Sequence, residues 1–339
     1  VQAIEKGRKL TEEVPAGEET KKEEESMDNE QRALQLEETE MRAFGNYVKN
    51  VIEERTDVNL TMGNNGAIVP QTVANKIISK AYDMSPVLEK ATRYNTKGKL
   101  EIPVYGADGS NDIQMAYATE FTELESKIGK FTSVELTGFL SGVLAKLSNS
   151  LINNTDIDIA NKVIDLMSEA VSRFMEGEAL KGTTDKVTGC SGVTLNVTTA
   201  SATAITGDEL ISVKNKVKKL FRKNSIWVMS NDTLTAIEKL KDENGRYLFT
   251  EDLTGEFDGK IIGYPVFVSD NMDEIEAGKV AILFGDFSGL ALKQTSELEL
   301  QVLREKYATQ HATGIVAWTE FDCKIEHAQK IAKLTVKTA

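Results

Sequence analysis

Lys99-Leu100-Glu101-Ile102-Pro103-Val104-Tyr105-Gly106-Ala107-Asp108-Gly109-Ser110-Asn111-Asp112 is the stretch on which the reading of this chain turns. Leu100, Ile102 and Val104 alternate with Lys99, Glu101 and Pro103, the period of a half-exposed strand. Gly106 to Asp112 is dense in turn formers. A polar strand around Gln114 to Glu120 is expected to return. Few of its residues are large and apolar, so this hairpin has little core of its own and should project outward. A two-stranded ribbon by itself is marginal in water, and such a ribbon needs a neighbouring subunit to rest on.

The sequence around it reads as β from about residue 88 to 140. Thr132 to Leu147 is a further strand, carrying Val134, Leu136, Phe139, Leu140, Val143 and Leu144. Asp156 can cap a long helix whose apolar face is Ile159, Val163, Leu166, Met167, Ala170 and Phe174. Gly177 and Gly182 mark its end. After residue 183 the character is α/β. Thr206-Gly207-Asp208-Glu209 is a capping box, and Leu210, Val213, Val217 and Leu220-Phe221 form the buried face of the helix it opens. Ile226-Trp227-Val228-Met229 is a short buried strand. Asn231 caps a helix with Leu234, Ile237 and Leu240. Strands follow over Ile261 to Val268, Val280 to Phe284, Glu297 to Arg304 and Thr313 to Ile325, the last with Ile315, Ala317, Thr319, Phe321 and Cys323 on one side.

Upstream, Pro70 can open a helix with Val73, Ile77, Ile78 and Ala81, which Ser85-Pro86 ends. Phe44, Tyr47, Val48 and Val51-Ile52 mark a short amphipathic helix, joined to it by the Gly- and Asn-rich link Thr61 to Gly66. Residues 1 to about 40 are Glu-rich and lack aromatics. Two readings fit them: a solvated, partly disordered arm, or a helical segment that pairs with copies of itself during assembly.

Composition narrows the classes. The 339 residues carry a net charge of −13, with 40% hydrophobic and 27% charged residues. Residues 1–42 hold 13 acids and 7 bases. An acidic chain without a basic tract is poorly suited to gripping phosphate backbones, although it can enclose nucleic acid. No apolar run is long enough for a membrane helix. The start, Val1-Gln2-Ala3-Ile4-Glu5, has neither a signal peptide nor an initiator Met, as expected of a trimmed product. Cys190 and Cys323 follow no metal spacing, which fits synthesis in a reducing cytosol.

The search for chemistry finds no site. His311 and His327 are the only histidines, and both read as structural or solvated. Phe284-Gly285-Asp286-Phe287-Ser288 offers a single Asp, a turn residue rather than a metal ligand. Lys214, Lys216, Lys218, Lys219, Arg222 and Lys223 read as the exposed face of an amphipathic helix answered by acidic neighbours. Asn244-Gly245 is a turn, after which Tyr247-Leu248-Phe249 is expected to anchor into the core. Gly263-Tyr264-Pro265 reads as a bend within an edge strand. Catalytic, cofactor-binding and metal residues are therefore expected to be absent, and no enzyme activity is expected.

Taken in order, Gly66-Ala67-Ile68-Val69-Pro70, Tyr105-Gly106-Ala107-Asp108-Gly109, the long helix of 156 to 176, Asp242-Glu243-Asn244-Gly245-Arg246-Tyr247-Leu248-Phe249, Gly263-Tyr264-Pro265-Val266 and Phe284-Gly285-Asp286-Phe287-Ser288 resemble the tailed-bacteriophage major capsid proteins of the HK97-fold family. The resemblance covers about residues 44 to 339. It implies an α+β fold of that type, with an acidic delta-domain-like scaffold remnant over 1–40 and an N-arm over 41–70. A P-domain would span 71–204, including an extended β-hairpin E-loop at about 95–130 and a spine helix at about 150–182. A central α/β A-domain would span 205–300, and 301–339 would return to the P-domain. It further implies a structural subunit that self-assembles through hexamers and pentamers into an icosahedral shell. That shell would enclose double-stranded DNA without sequence-specific binding or membrane contact. Portal protein and prohead protease are the implied partners, and assembly in the bacterial host cytoplasm the implied route into the virion. No crosslinking pair is carried over. An encapsulin-type compartment and an unrelated α/β enzyme are the alternatives. Enzyme cargo inside shells would favour the first, and a pocket of converging ionisable groups the second.

Overall fold

A computed structural model describes residues 71–105, 131–149, 159–241, 245–247, 249–251, 259–294 and 298–338, together with parts of a helix between 31 and 45. The proposed hairpin tip, the return strand of Gln114 to Glu120, the cap Asp156, the helix residues 47–52 and the link of 61–66 lie outside them.

Helix α1 (Gln71–Asp83) buries Val73, Ile77 and Ala81, as their spacing predicts. Pro86 does two jobs: it stops α1 and occupies the first turn of a short α2 (Pro86–Lys90). Residues 88–90 are thus helical, and β begins only with β1 (Thr92–Asn95). Glu37 pairs with Lys76 of α1 at 2.9 Å, and Met41 and Phe44 are buried in the main core. The boundary expected at residue 40 therefore cuts a stretch that is fastened to α1.

β2 (Leu100–Tyr105) pairs antiparallel with β3 (Phe131–Leu136), from Leu100 opposite Leu136 to Tyr105 opposite Phe131. The single strand expected over 132 to 147 is in fact two. The chain turns at Thr137-Gly138, where Gly138 has φ +95°, and continues as β4 (Phe139–Ser148) in another sheet. Apolar residues on both sides of the turn hid the break, and Gly138 was its only sequence sign.

Helix α3 (Ile159–Leu180) follows. Its buried face is Val163, Ile164, Met167, Val171, Met175 and Ala179. The expected face was rotated: Leu166 and Phe174 are 41% and 47% exposed, and Ala170 is also exposed. Apolar residues cover more than one stripe of this helix, so periodicity alone did not identify the packed one.

The next elements are β5 (Leu195–Thr198), α4 (Gly207–Lys216), β6 (Ile226–Met229), α5 (Asn231–Glu238), β7 (Phe249–Glu251), β8 (Gly259–Ile261), β9 (Tyr264–Val268) and β10 (Val280–Gly285). Then come β11 (Leu290–Gln294), β12 (Glu299–Leu303), β13 (Ala312–Ile325) and β14 (Ile331–Thr335). Glu209 accepts the Thr206 backbone N–H at 2.8 Å, completing the capping box before α4. That helix stops at Lys216, and Leu220, expected on its buried face, is 82% exposed. The cap of α5 is Ser230, whose Oγ accepts the Thr233 N–H at 3.3 Å, rather than Asn231. Gly263-Tyr264-Pro265 is no edge bend. Ile262 and Gly263, both with positive φ, make a two-residue hairpin between β8 and β9, and β9 lies inside the sheet.

Two large sheets result. One runs β5-β14-β10-β6-β9-β8-β7. Trp227, Met229, Ile282, Phe284 and Leu334 face α4 and α5 from it, while Ile226, Val228, Leu283 and Ile331 face the main core. Burial on both faces explains the unbroken apolar run Ile226 to Met229. In the other sheet, β13 pairs with β11 and β12 along one edge and with β4 along the other. The strands therefore group differently from the expected division at residue 300. β11 already belongs to the second sheet, and β14 returns to the first.

Candidate assembly interface

The β2–β3 hairpin has a small root core. Ile102, Val104 and Leu136 pack on Ala291 of β11, with Tyr94, Leu100 and Val134 around them. Along its rim Lys99 bridges Glu101 and Glu135, each at 2.9 Å. The hairpin is thus anchored at its base by more apolar packing than the sequence alone implied.

The described chain also leaves apolar surfaces open. A cavity of about 430 Å³ between α3 and the β4–β13 pair is lined by Phe139, Val143, Phe174, Met175, Leu298 and Phe321. On the other face of β4, Leu140 is 70% and Leu144 49% exposed, with Trp318 of β13 40% exposed next to them. Gly142 makes room for that indole: a Cβ there would stand 2.5 Å from the Trp318 ring. Large exposed apolar residues gathered on adjoining elements mark an interaction surface rather than ordinary scatter.

Buried polar groups tie the elements beneath. Glu176 of α3 accepts a hydrogen bond from the Ser269 hydroxyl, which joins the helix to the loop after β9. Burial pushes the Glu176 carboxyl above its ordinary range, and the Ser269 bond opposes that. Tyr82 donates to Gln294 Oε1 at 2.8 Å; burial pushes its phenol up to about 12, although the Arg93 guanidinium, 3.9 Å from the ring centroid, works the other way. Cys190 and Cys323 are free and buried. Burial raises the Cys190 thiol to about 12 and Cys323 well above its usual value, so both stay protonated and unreactive.

None of the residues weighed for chemistry converges on a site. Asp286 caps a turn, accepting the Ser288 N–H at 3.0 Å. His311 ends a helical turn in the left-handed conformation, and the His327 ring lies 3.6 Å from Glu326. Among the described residues no group of His, Cys, Asp and Glu is placed to hold a metal, and no helix is long and apolar enough to cross a membrane. Tyr247 does not anchor into the core; it is 60% exposed, with Lys241 Nζ 4.6 Å from its ring centroid. Among the described residues, no carboxylate pairs with a lysine of the basic run from Lys214 to Lys223. Arg222 bonds instead to the backbone oxygen of Val217 at 2.7 Å.

The described residues thus form a two-sheet α+β body with a β-hairpin packed on it, apolar side chains at the surface and no group of residues placed to hold a metal. The chain belongs to the phage capsid family, whose model matches residues 65–336. It is a structural capsid protein with an HK97-like α+β fold, and its place is the virion shell. Among solved structures, the chain is similar to the capsid of a native GTA particle (TM-score 0.62, 18% identity), covering 85% of this chain and 96% of that one. The empty GTA particle's capsid gives a TM-score of 0.59 at 19% identity, with the same coverage. For Mycobacterium phage Bobi the values are 0.53 and 13%, covering 86% and 97%. No curated protein sequence matches the chain.

Proposed function

We propose that this capsid protein assembles through hexamers and pentamers into a closed icosahedral shell around double-stranded DNA. The observation that carries the reading is the set of apolar side chains that the described chain leaves uncovered on the second sheet, Leu140, Leu144 and Trp318 on one face and Phe174 at the cavity on the other. Repeated by symmetry, many modest contacts of this kind supply the stability of a shell. The DNA is enclosed rather than gripped, in keeping with a chain charge of −13. A portal protein and a prohead protease are the partners of such a shell, assembled in the host cytoplasm.

The acidic leader fits a scaffold removed before DNA fills the particle. Since Glu37, Met41 and Phe44 are held by α1 and the core, its separable part ends before Glu37. Light scattering and electron microscopy of the purified chain test the assembly. Uniform closed particles are expected; a monomer under every solution condition would overturn it. Mass spectrometry of DNA-filled particles tests the processing, and full-length subunits there would remove that part alone.

A further inference from the structure

The hairpin and the second sheet meet at a buried charged node that neither needs for its own pairing. Lys293 of β11 and Asp322 of β13 stand directly opposite each other, 1% and 0% exposed. They lie on the sheet face that carries Ala291 and receives the hairpin root. Their polar atoms reach across to the two-residue turn between β3 and β4. Asp322 Oδ2 accepts the Thr137 N–H at 2.8 Å and the Gly138 N–H at 3.5 Å, while its Oδ1 accepts the N–H of Cys323 at 2.8 Å. Lys293 Nζ donates to the Thr137 carbonyl at 2.7 Å. Two residues along β13, Lys324 Nζ donates to the Glu135 carbonyl, also at 2.7 Å.

Three charged side chains of one sheet face thus hold the backbone of residues 135 to 138. Backbone groups leaving a ladder must find other partners, and neutral side chains could satisfy them at less desolvation cost than buried charges. Charge-assisted bonds add strength and direction, properties that matter where a lever must leave its support at one angle. The turn itself admits little variation. Gly138 has φ +95°, and a Cβ there would stand 3.1 Å from Lys293 Nζ and 3.4 Å from Glu320 Oε2.

We propose that Asp322 and Lys293 form a latch at the hairpin root that fixes the angle at which the β2–β3 hairpin projects, making them positioning residues for contact with the neighbouring copy. The consequence for shells rests on the assembly proposed above, whereas the latch itself is a property of the single chain. A small swivel at the root becomes a large displacement at the far end of the hairpin. Loosening the latch would therefore alter which contacts can be made together around a closed shell.

Two measurements test it. In the unassembled full chain, the amides of Thr137 and Gly138 should exchange with solvent at least about tenfold more slowly than in Asp322→Asn, the scale of one charge-assisted bond. The same amides should be protected relative to the exposed turn at Lys97-Gly98. Exchange as fast as at that turn overturns the latch, and this control needs only the wild-type chain if a variant does not fold. In assembled material, Asp322→Asn and Lys293→Gln should broaden the distribution of particle diameters or yield open sheets. Folded variants giving shells as uniform as wild type overturn the positioning role. If wild type itself forms no particles, the assembly reading fails while the exchange result still decides the latch.

Discussion

The two sheets of this protein divide its labour. The seven-stranded sheet is complete: both faces of β6 and β10 are covered, Trp227 packs on Phe284 with centroids 4.3 Å apart, and the indole N–H donates to the Ile261 carbonyl at 3.0 Å. The sheet around β13 is the reverse. It leaves Trp318, Leu140 and Leu144 at the surface and buries Lys293 and Asp322. One region spends its apolar residues on its own fold. The other holds some back for contact with something else and uses charges inside to fix geometry.

That contrast can be broken from either side. The largest effect on stability is expected from Trp227→Ala, about 3–5 kcal/mol for a fully buried aromatic, read as a lower urea midpoint; a loss below 1 kcal/mol would deny the first sheet its role as the stable body. At the hairpin root, Gly138→Ala should cost about 1–3 kcal/mol, because a left-handed backbone and a crowded Cβ act together. A cost near zero would mean that the turn relaxes freely. A gentler perturbation is pH. With its carboxyl raised by burial, Glu176 keeps its proton in the folded state where the unfolded chain has already lost it. Its contribution to stability is whole below the ordinary carboxylate range and is lost as pH rises from there through the raised value. Glu176→Gln should flatten that part of the pH–stability curve, and an unchanged slope would assign it elsewhere. The smallest effect on folding is expected from Leu140→Ser with Phe174→Ser, within about 0.5 kcal/mol as for surface positions. The same pair should sharply reduce particle yield. A large loss of stability, or normal yield, would each blur the distinction between the regions.

What the sequence revealed follows the same division. Ile226 to Met229, α1, the capping box before α4 and the alternating face of β13 were legible, because burial there comes from the chain's own neighbours and leaves a clean period. The exposed apolar faces and the hairpin root were harder. Leu166 and Phe174 read as core because apolar spacing cannot distinguish a face covered by the chain itself from one left for a partner. Leu220 failed for another reason: the helix expected to bury it ends at Lys216. The turn at Thr137-Gly138 was passed over because its partners, Lys293 and Asp322, are distant in sequence and look like ordinary surface charges there. Tyr247 was misplaced because an aromatic beside a turn suggests an anchor, whereas here it stacks near Lys241 at the surface. The interaction surface could be suspected only from the hairpin, whose strand had too little apolar surface to stand alone.

Gly142 and Trp318 carry a consequence for descent. The indole occupies the space in which any side chain at 142 would have to stand. Neither position can then drift alone: a bulky residue at 142 evicts the ring, and a small residue at 318 leaves a hole over the glycine. Among lineages that share this surface the two should be inherited as a single unit, with glycine at 142 wherever a large ring is kept at 318 and lost only where the ring has gone.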